Sequence, residues 1–173
     1  MKGKIRMKEN RDKEKTLLLI IDCQSAFINE NTKQYVSKIE NLVKENKYDY
    51  VAFTKYINNE NSMFFKNLNY KRCINEDDRK IIINTNNFKI FEKDIYSAFN
   101  NELEEYLKEN EIDTIYLCGF DTEACVLKTA LDLFENRYNV VVLKDYSMSN
   151  SGIDYHKWAL KIIKKLIGEN GVI

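Results

Sequence analysis

The 173-residue sequence has no proline, only one histidine and no excess of either charge. Its 27 basic and 27 acidic residues argue against a dedicated nucleic-acid binder, because such proteins carry a basic excess. The four cysteines form no CxxC pair and have no zinc-ligand spacing. The apolar run TLLLII is far too short for a signal peptide or a membrane span, and it ends at Asp22. We therefore expect a cytoplasmic, reducing setting with neither nucleic acid nor membrane as a partner.

The length and composition predict a single domain. A chain of 173 residues with 44% hydrophobic residues is long enough to bury a proper core. Residues 1–15 are polar and mostly basic, which predicts a flexible leader. The domain is then expected over residues 16–173.

Short apolar runs alternate with amphipathic stretches along the chain. The runs that predict buried strands are 16–22, 50–56, 88–93, 114–120 and 139–145. Helical spacing predicts helices over 33–46, 100–110, 123–136 and 153–167. The last helix has Trp158, Ile162 and Leu166 on its apolar face, whereas the stretch 57–87 has little periodicity and is expected to hold loops that shape a site. Strands buried on both faces and alternating with helices predict a parallel sheet.

Three reactive side chains lie at or just past predicted strand ends, namely Asp22, Lys93 and Cys125. In an open parallel α/β sheet, ligands collect beyond the carboxyl ends of the strands, so these side chains are expected to meet there. A cysteine nucleophile needs a base, a cation that favours its thiolate and donors for the oxyanion. Asp22 ends an apolar run and could accept and return a proton, while Lys93 and a helix N-terminus could stabilise the thiolate.

Each of these residues also has a plainer interpretation. Cys125 could be a buried structural thiol, Asp22 a helix cap, and Lys93 a solvated charge with Lys55 and Lys89 as competing cations. His156 is expected to be a helix-surface or capping residue rather than a base. The remaining thiols are expected to be packing residues: Cys23, Cys73 and Cys118.

The segments LLLIIDCQSAF, FEKDIYSAF and LCGFDTEACVLKTALDLFE resemble, in order and spacing, three blocks of the isochorismatase-like cysteine hydrolases. That superfamily includes nicotinamidases and N-carbamoylsarcosine amidohydrolases, and the resemblance covers nearly everything from Thr16 to Ile167. It implies a doubly wound three-layer α/β/α fold with a central parallel sheet. It also implies a catalytic triad of Asp22, Lys93 and Cys125, a covalent intermediate on the cysteine, and assembly as a dimer or larger homo-oligomer.

The resemblance assigns further positions around the triad. It implies a non-proline cis peptide at Phe120–Asp121 and an oxyanion site in the backbone at Asp121, Ala124 and Cys125. Side chains near the triad are candidates for substrate contact, although the aromatic ones could equally belong to the core: Gln24, Phe27, Tyr96 and Phe120.

The sequence departs from the family where nicotinamidases carry a metal-binding cluster. The corresponding segment FTKYINNENSMFF has no histidine and no aspartate, so neither a metal nor another cofactor is expected. The retained Cys125 argues against a true isochorismatase, whose reaction does not rely on that thiol. The leading hypothesis is a metal-independent hydrolase of a C–N bond in a small molecule. The alternatives are a non-catalytic binding or scaffold protein and a thiol redox protein using Cys125 or Cys23.

Overall fold

Five strands form the centre of the computed structural model, which describes residues 14–85 and 87–173. Their bounds are β1 Lys15–Ile21, β2 Tyr50–Tyr56, β3 Lys89–Lys93, β4 Ile112–Gly119 and β5 Asn139–Ser147. Each predicted strand is therefore present, with its ends within two residues of the predicted ones. The predicted polar leader lies outside the described residues except for its last two, and Lys15 already belongs to β1.

Six α-helices accompany the strands in the described part of the chain: α1 Lys33–Lys44, α2 Met63–Leu68, α3 Glu76–Arg79, α4 Asn101–Glu109, α5 Leu127–Glu135 and α6 Ile153–Ile167. The two short helices α2 and α3 lie in the stretch 57–87, where periodicity indicated none. Both begin at a capping side chain: Ser62 accepts from the N–H of Phe65, and Asn75 accepts from the N–H of Asp78. Four to six residues are too few for a helical period to show in the sequence.

The sheet order is β3-β2-β1-β4-β5, and every pair is parallel. The chain winds outward from β1 to β3, returns to place β4 beside β1, and continues outward to β5. One face of the sheet packs a core with α4, α5 and α6, and the other packs a core with α1. The doubly wound three-layer α/β/α fold is confirmed, and its switch point lies between β1 and β4.

The predicted last helix is present as α6, but the apolar residues by which it was predicted do not face the core. Trp158, Ile162 and Leu166 are 56%, 44% and 48% exposed, whereas the residues that face the core are His156, Ala159 and Ile163. Helical spacing identifies Trp158, Ile162 and Leu166 because they are the large apolar residues of the helix. It does not identify the buried side, which includes the polar residue His156. Among the described residues, no helix is long and apolar enough to cross a membrane. Self-association stays a prediction.

Gly119 brings the ends of β1 and β4 together. Its φ is +115°, and the next amide, that of Phe120, donates to the carbonyl of Ile21 at 2.9 Å. A Cβ on Gly119 would collide with the Ile21 carbonyl oxygen and lie 2.8 Å from the Ile21 nitrogen. Glycine is therefore required by both the dihedral angle and the close backbone approach.

We predict that Gly119→Ala destabilises the protein more than Gly152→Ala does. Gly152 has a similar φ of +111° but nothing within 4 Å of an added Cβ, so it isolates the dihedral cost of about 1–3 kcal/mol. The backbone collision at Gly119 should add about 1–3 kcal/mol. Urea unfolding of the two variants measures the difference. Equal losses of stability would show that the β1–β4 approach is not constrained by Gly119.

Candidate active site

The structure brings together the three side chains that the sequence placed at strand ends. Asp22 directly follows β1, Lys93 is the last residue of β3, and Cys125 lies in a π-helical turn, Thr122–Val126, between β4 and α5. The Lys93 ammonium nitrogen is 2.7 Å from Asp22 Oδ2 and 3.3 Å from Cys125 Sγ. All three residues are buried. They form a contiguous carboxylate–ammonium–thiol cluster at the switch point of the sheet.

Lys93 reaches the cluster across the end of β2. Tyr56 is its register partner on that strand, and the Lys93 nitrogen lies 5.1 Å from the centre of the Tyr56 ring. The ammonium also donates to the carbonyl of Ile95 at 3.0 Å. The ammonium thus donates to a carbonyl and a sulfur and forms an ion pair with the Asp22 carboxylate. The competing cations Lys55 and Lys89 instead form ion pairs with glutamates outside the cluster.

Thr54 of β2 fixes the orientation of the Asp22 carboxylate. The Asp22 N–H donates to Thr54 Oγ1 at 3.0 Å, and the Thr54 hydroxyl donates to Asp22 Oδ1 at 2.6 Å. Asp22 has a φ of 45°, in the left-handed region that aspartate tolerates better than most residues. With Oδ1 held by threonine, Oδ2 is the oxygen that faces Lys93.

The charge states of the cluster differ from the sequence-based expectation. Burial raises the pKa of the Cys125 thiol, the Asp22 carboxylate raises it further, and Lys93 only partly opposes them, so the pKa lies well above the ordinary value. Burial lowers the pKa of Lys93, but Asp22 and Cys125 outweigh that effect and leave it raised. Burial and Asp22 therefore disfavour a thiolate in the resting site, and the stabilisation of the thiolate by Lys93 stays a prediction. Cys125 is a neutral thiol beside a carboxylate, because the desolvation of a thiolate raises its free energy more than the shared Lys93 ammonium lowers it.

His156 supports the turn that carries the cysteine. It is 6% exposed, and its Nδ1 lies 2.8 Å from Thr122 Oγ1. Burial lowers the pKa of His156, so its ring is neutral at pH 7. The predicted surface or capping position of His156 is therefore wrong: it packs under the Cys125 turn, where it contacts Thr122 rather than the thiol.

The backbone before Cys125 takes a specific shape. The peptide bond between Phe120 and Asp121 is cis, at the position that the family resemblance implies. The carbonyl of Asp121 accepts the N–H groups of Ala124 and Val126, both at 3.1 Å. The Ala124 donor is therefore already engaged, and among the predicted oxyanion donors it is the least suited to that role.

A cavity of about 230 Å³ opens beside the thiol. Half of the residues that line it are aromatic, and the full set is Phe27, Tyr56, Phe64, Leu68, Tyr70, Tyr96, Asp121, Ala124, Cys125 and Asn150. Of the predicted substrate contacts, Phe27 and Tyr96 lie in the wall. The stretch 57–87 supplies Phe64, Leu68 and Tyr70, so this loop-rich segment does shape the cavity.

Gln24 and Phe120 were predicted to contact the substrate, but neither lines the cavity. The Gln24 amide is completely used by the backbone: its oxygen accepts from the N–H of Tyr56 at 2.7 Å, and its nitrogen donates to the carbonyls of Tyr56 and Arg79 at 3.0 Å. Phe120 is fully buried in the core on the α1 face of the sheet. Both residues lie close to the triad in sequence, but their side chains turn away from the cavity.

Tyr56, Phe64 and Tyr70 line the cavity but were not among the predicted site residues. Four aromatic residues fall between positions 56 and 70 in a stretch otherwise rich in asparagine. This concentration of rings at and after the end of a predicted strand was the available signal. Tyr56 ends β2, Phe64 lies in the short helix α2, and only Tyr70 lies outside a named element.

Asp121 places a second carboxyl group in the cavity wall. Its Oδ1 accepts from the N–H of Asn150 at 2.7 Å. Burial raises the pKa of this carboxyl to about 7; the Asn150 hydrogen bond opposes the rise, and the charges of Glu123 and Asp22 add to it. Asp121 therefore changes its charge near neutral pH.

We predict that Asp121→Asn alters the pH dependence of stability. The folded pKa of about 7 exceeds the ordinary value of 3.8, so the folded state binds the proton more tightly, and this contribution to stability is lost as pH rises from 4 to 7. Asparagine keeps the acceptor for Asn150 but cannot ionise. The free energy of unfolding of the variant, relative to wild type, should increase by up to about 4 kcal/mol between pH 4 and pH 8.

Urea unfolding at pH 4, 6 and 8 measures this difference. Asp113→Asn is the matched control, because Asp113 is exposed in β4, near the opposite end of the strand. Parallel stability curves for wild type and Asp121→Asn would contradict the raised pKa of Asp121.

Comparison with known proteins gives a consistent result. Residues 16–170 match the isochorismatase domain. Isochorismatase family protein 1A of Dictyostelium discoideum is 34% identical over 144 residues, which cover 80% of this chain and 66% of the relative. The chain thus spans just under two thirds of the length of that relative.

Two solved structures resemble the chain over almost its whole length. An isochorismatase-like hydrolase from Alkaliphilus metalliredigens has a TM-score of 0.79 at 22% identity, covering 91% of this chain and 93% of its own. The nicotinamidase/pyrazinamidase of Bacillus subtilis has a TM-score of 0.76 at 26% identity, covering 91% and 98%. Within residues 14–85 and 87–173, no three His, Cys, Asp or Glu side chains come together in a way that could hold a metal ion.

Proposed function

Because the chain belongs to the isochorismatase family, we propose that it is a cysteine hydrolase that cleaves a C–N bond of a small amide or ureido compound. The observation that carries this proposal is the contact of the Lys93 ammonium with both the Asp22 carboxylate and the Cys125 thiol, at 2.7 and 3.3 Å. A nucleophile, a proton acceptor and a fixed positive charge are the groups that attack on a carbonyl requires.

The resting charges suggest how the first step proceeds. The Cys125 sulfur attacks the substrate carbonyl carbon while its proton passes to the Asp22 carboxylate, so that no free thiolate has to persist in a buried site. Lys93 stays protonated and offsets the negative charge that moves between these two groups. Asp22 then returns the proton to the leaving nitrogen as the C–N bond breaks, and an amine or ammonia departs.

Water completes the cycle. It attacks the thioester carbon while Asp22 takes one of its protons, and the C–S bond breaks to release the carboxylic acid. The sulfur recovers its proton from Asp22, which restores the starting thiol and carboxylate. The net reaction is the hydrolysis of one C–N bond. The backbone N–H of Cys125 is the proposed donor to the oxyanion in both halves of the cycle.

The named activity of one relative supports C–N bond cleavage. The Bacillus subtilis structure is that of a nicotinamidase/pyrazinamidase, an enzyme named for hydrolysing amides. The redox alternative has less support. All four cysteines are free, and Cys125 packs in the core on the α5 face, whereas Cys23, Cys73 and Cys118 pack in the core on the opposite face.

Ammonia release from a panel of small amides, ureides and carbamoyl compounds tests the proposed reaction. We expect wild-type protein to hydrolyse at least one of them and Cys125→Ala to lose at least about 1,000-fold in kcat. Cys118→Ala is the matched control, because it removes a buried thiol on the other face of the sheet. Undiminished turnover by Cys125→Ala would rule out the covalent route.

We predict that Asp22→Asn separates proton transfer from binding. The amide cannot accept the thiol proton, so kcat should fall by about 100-fold or more. KM should change little, since Asp22 is fully buried and does not line the cavity. Steady-state kinetics on the best substrate, with Asp113→Asn as the control, provides the measurement. A loss confined to KM would assign Asp22 to substrate binding instead.

A further inference from the structure

We propose that the substrate is an amide with an extended apolar acyl chain, and that this chain lies in a groove along α2 that adjoins the cavity beside Cys125. This inference rests on the proposed hydrolysis, because it takes that cavity to hold the amide group. It adds the chemistry of the rest of the molecule and the surface of the protein that binds it.

The short helix α2 leaves its apolar side chains uncovered. Its sequence is MFFKNL, yet none of its six residues is fully buried. Met63 and Leu68 are 61% and 62% exposed, whereas the apolar side chains of a surface helix normally pack against a core. The segment after β3 adds two exposed apolar residues, Ile95 and Tyr96. A group of exposed apolar side chains of this kind is typical of a surface that binds a ligand or a partner.

This apolar surface adjoins the catalytic cavity. A groove of about 250 Å³, here called the α2 groove, is lined by Met63, Phe64, Asn67, Leu68 and Tyr96. Phe64, Leu68 and Tyr96 also line the cavity that contains Cys125. Of the described residues that line the α2 groove, none is charged. The groove therefore suits an uncharged apolar chain attached to a group that reaches the thiol.

The proposed reaction fixes which part of the substrate faces the groove. Asp22 has to return its proton to the leaving nitrogen, but Asp22 is fully buried and does not line the cavity. The nitrogen must therefore point inward, and the acyl group then points outward, toward α2. A primary amide with an apolar acyl chain meets both conditions, because only ammonia has to leave from the buried side.

Binding to Cys125→Ala protein tests this inference without any turnover. The probes are butanamide, hexanamide and octanamide, measured by calorimetry or ligand-observed NMR at concentrations where each is monomeric. Each added methylene should increase the affinity about twofold, which is less than for complete burial because the groove is open on one side. We expect octanamide to bind at least about 10-fold more tightly than butanamide.

Two substitutions in the same background assign the preference to the α2 groove. Met63→Ser should reduce the octanamide-to-butanamide affinity ratio by at least about 3-fold and leave butanamide binding unchanged, because Met63 lines the groove but not the cavity. Asn67→Leu should increase the same ratio, because it makes the groove more apolar. Leu166→Ser is the matched control: Leu166 is 48% exposed on α6, away from the groove, and its loss should leave the ratio as it was.

The outcomes separate this inference from the proposed reaction. Equal affinities for butanamide and octanamide, together with hydrolysis of short amides by wild-type protein, overturn the apolar chain and leave the reaction standing. A preference for octanamide that depends on Met63, without hydrolysis of any amide, overturns the reaction and leaves the groove assigned. A ratio that neither Met63→Ser nor Asn67→Leu changes overturns the inference. If Met63→Ser then alters the sedimentation of the protein, the surface belongs to an interface with a second copy of the chain.

Discussion

The Lys93 ammonium, held between the Asp22 carboxylate and the Cys125 thiol, is the interaction on which the site depends. An ammonium or a carboxylate alone at this depth would carry a desolvation cost that the fold could not easily offset. Each charge offsets part of the desolvation cost of the other, and the Lys93 ammonium also donates to the carbonyl of Ile95. Asp22 follows β1, Lys93 ends β3, and Cys125 lies in the turn after β4. The geometry of the sheet therefore fixes the geometry of the site.

That constraint explains several features that have no catalytic chemistry of their own. Gly119 allows β4 to approach the end of β1, Thr54 orients the Asp22 carboxylate, and the Tyr56 ring is the surface over which Lys93 crosses from the edge strand. His156 holds the turn of Cys125 from below through Thr122. These four supporting residues lie on β2, β4 and α6, so the site is preorganised by regular elements rather than by loops.

Much of the fold could be predicted from the sequence, because short β-branched and aromatic runs bounded by polar residues indicate strands even in isolation. The meeting of Asp22, Lys93 and Cys125 followed from a general property of parallel sheets and from the family resemblance. The cavity was harder. Gln24 and Phe120 are close to the triad along the chain, yet their orientation depends on backbone partners and on sheet faces that no local pattern records. The exposure of the apolar stripe of α6 and the burial of His156 could not be predicted for a related reason, since amphipathicity does not say which side of a helix meets the core.

The protonation of Cys125 was also beyond the sequence. A lysine and a helix end both favour a thiolate, but the balance depends on burial and on contact with Asp22, and those are properties of the folded chain. Ultraviolet absorbance of the thiolate near 240 nm, recorded as wild type minus Cys125→Ser from pH 6 to pH 10, tests the account most directly. The account predicts no thiolate step below pH 9 in the resting protein. A step near pH 7 would contradict it, because the sulfur would then be anionic before any proton had passed to Asp22.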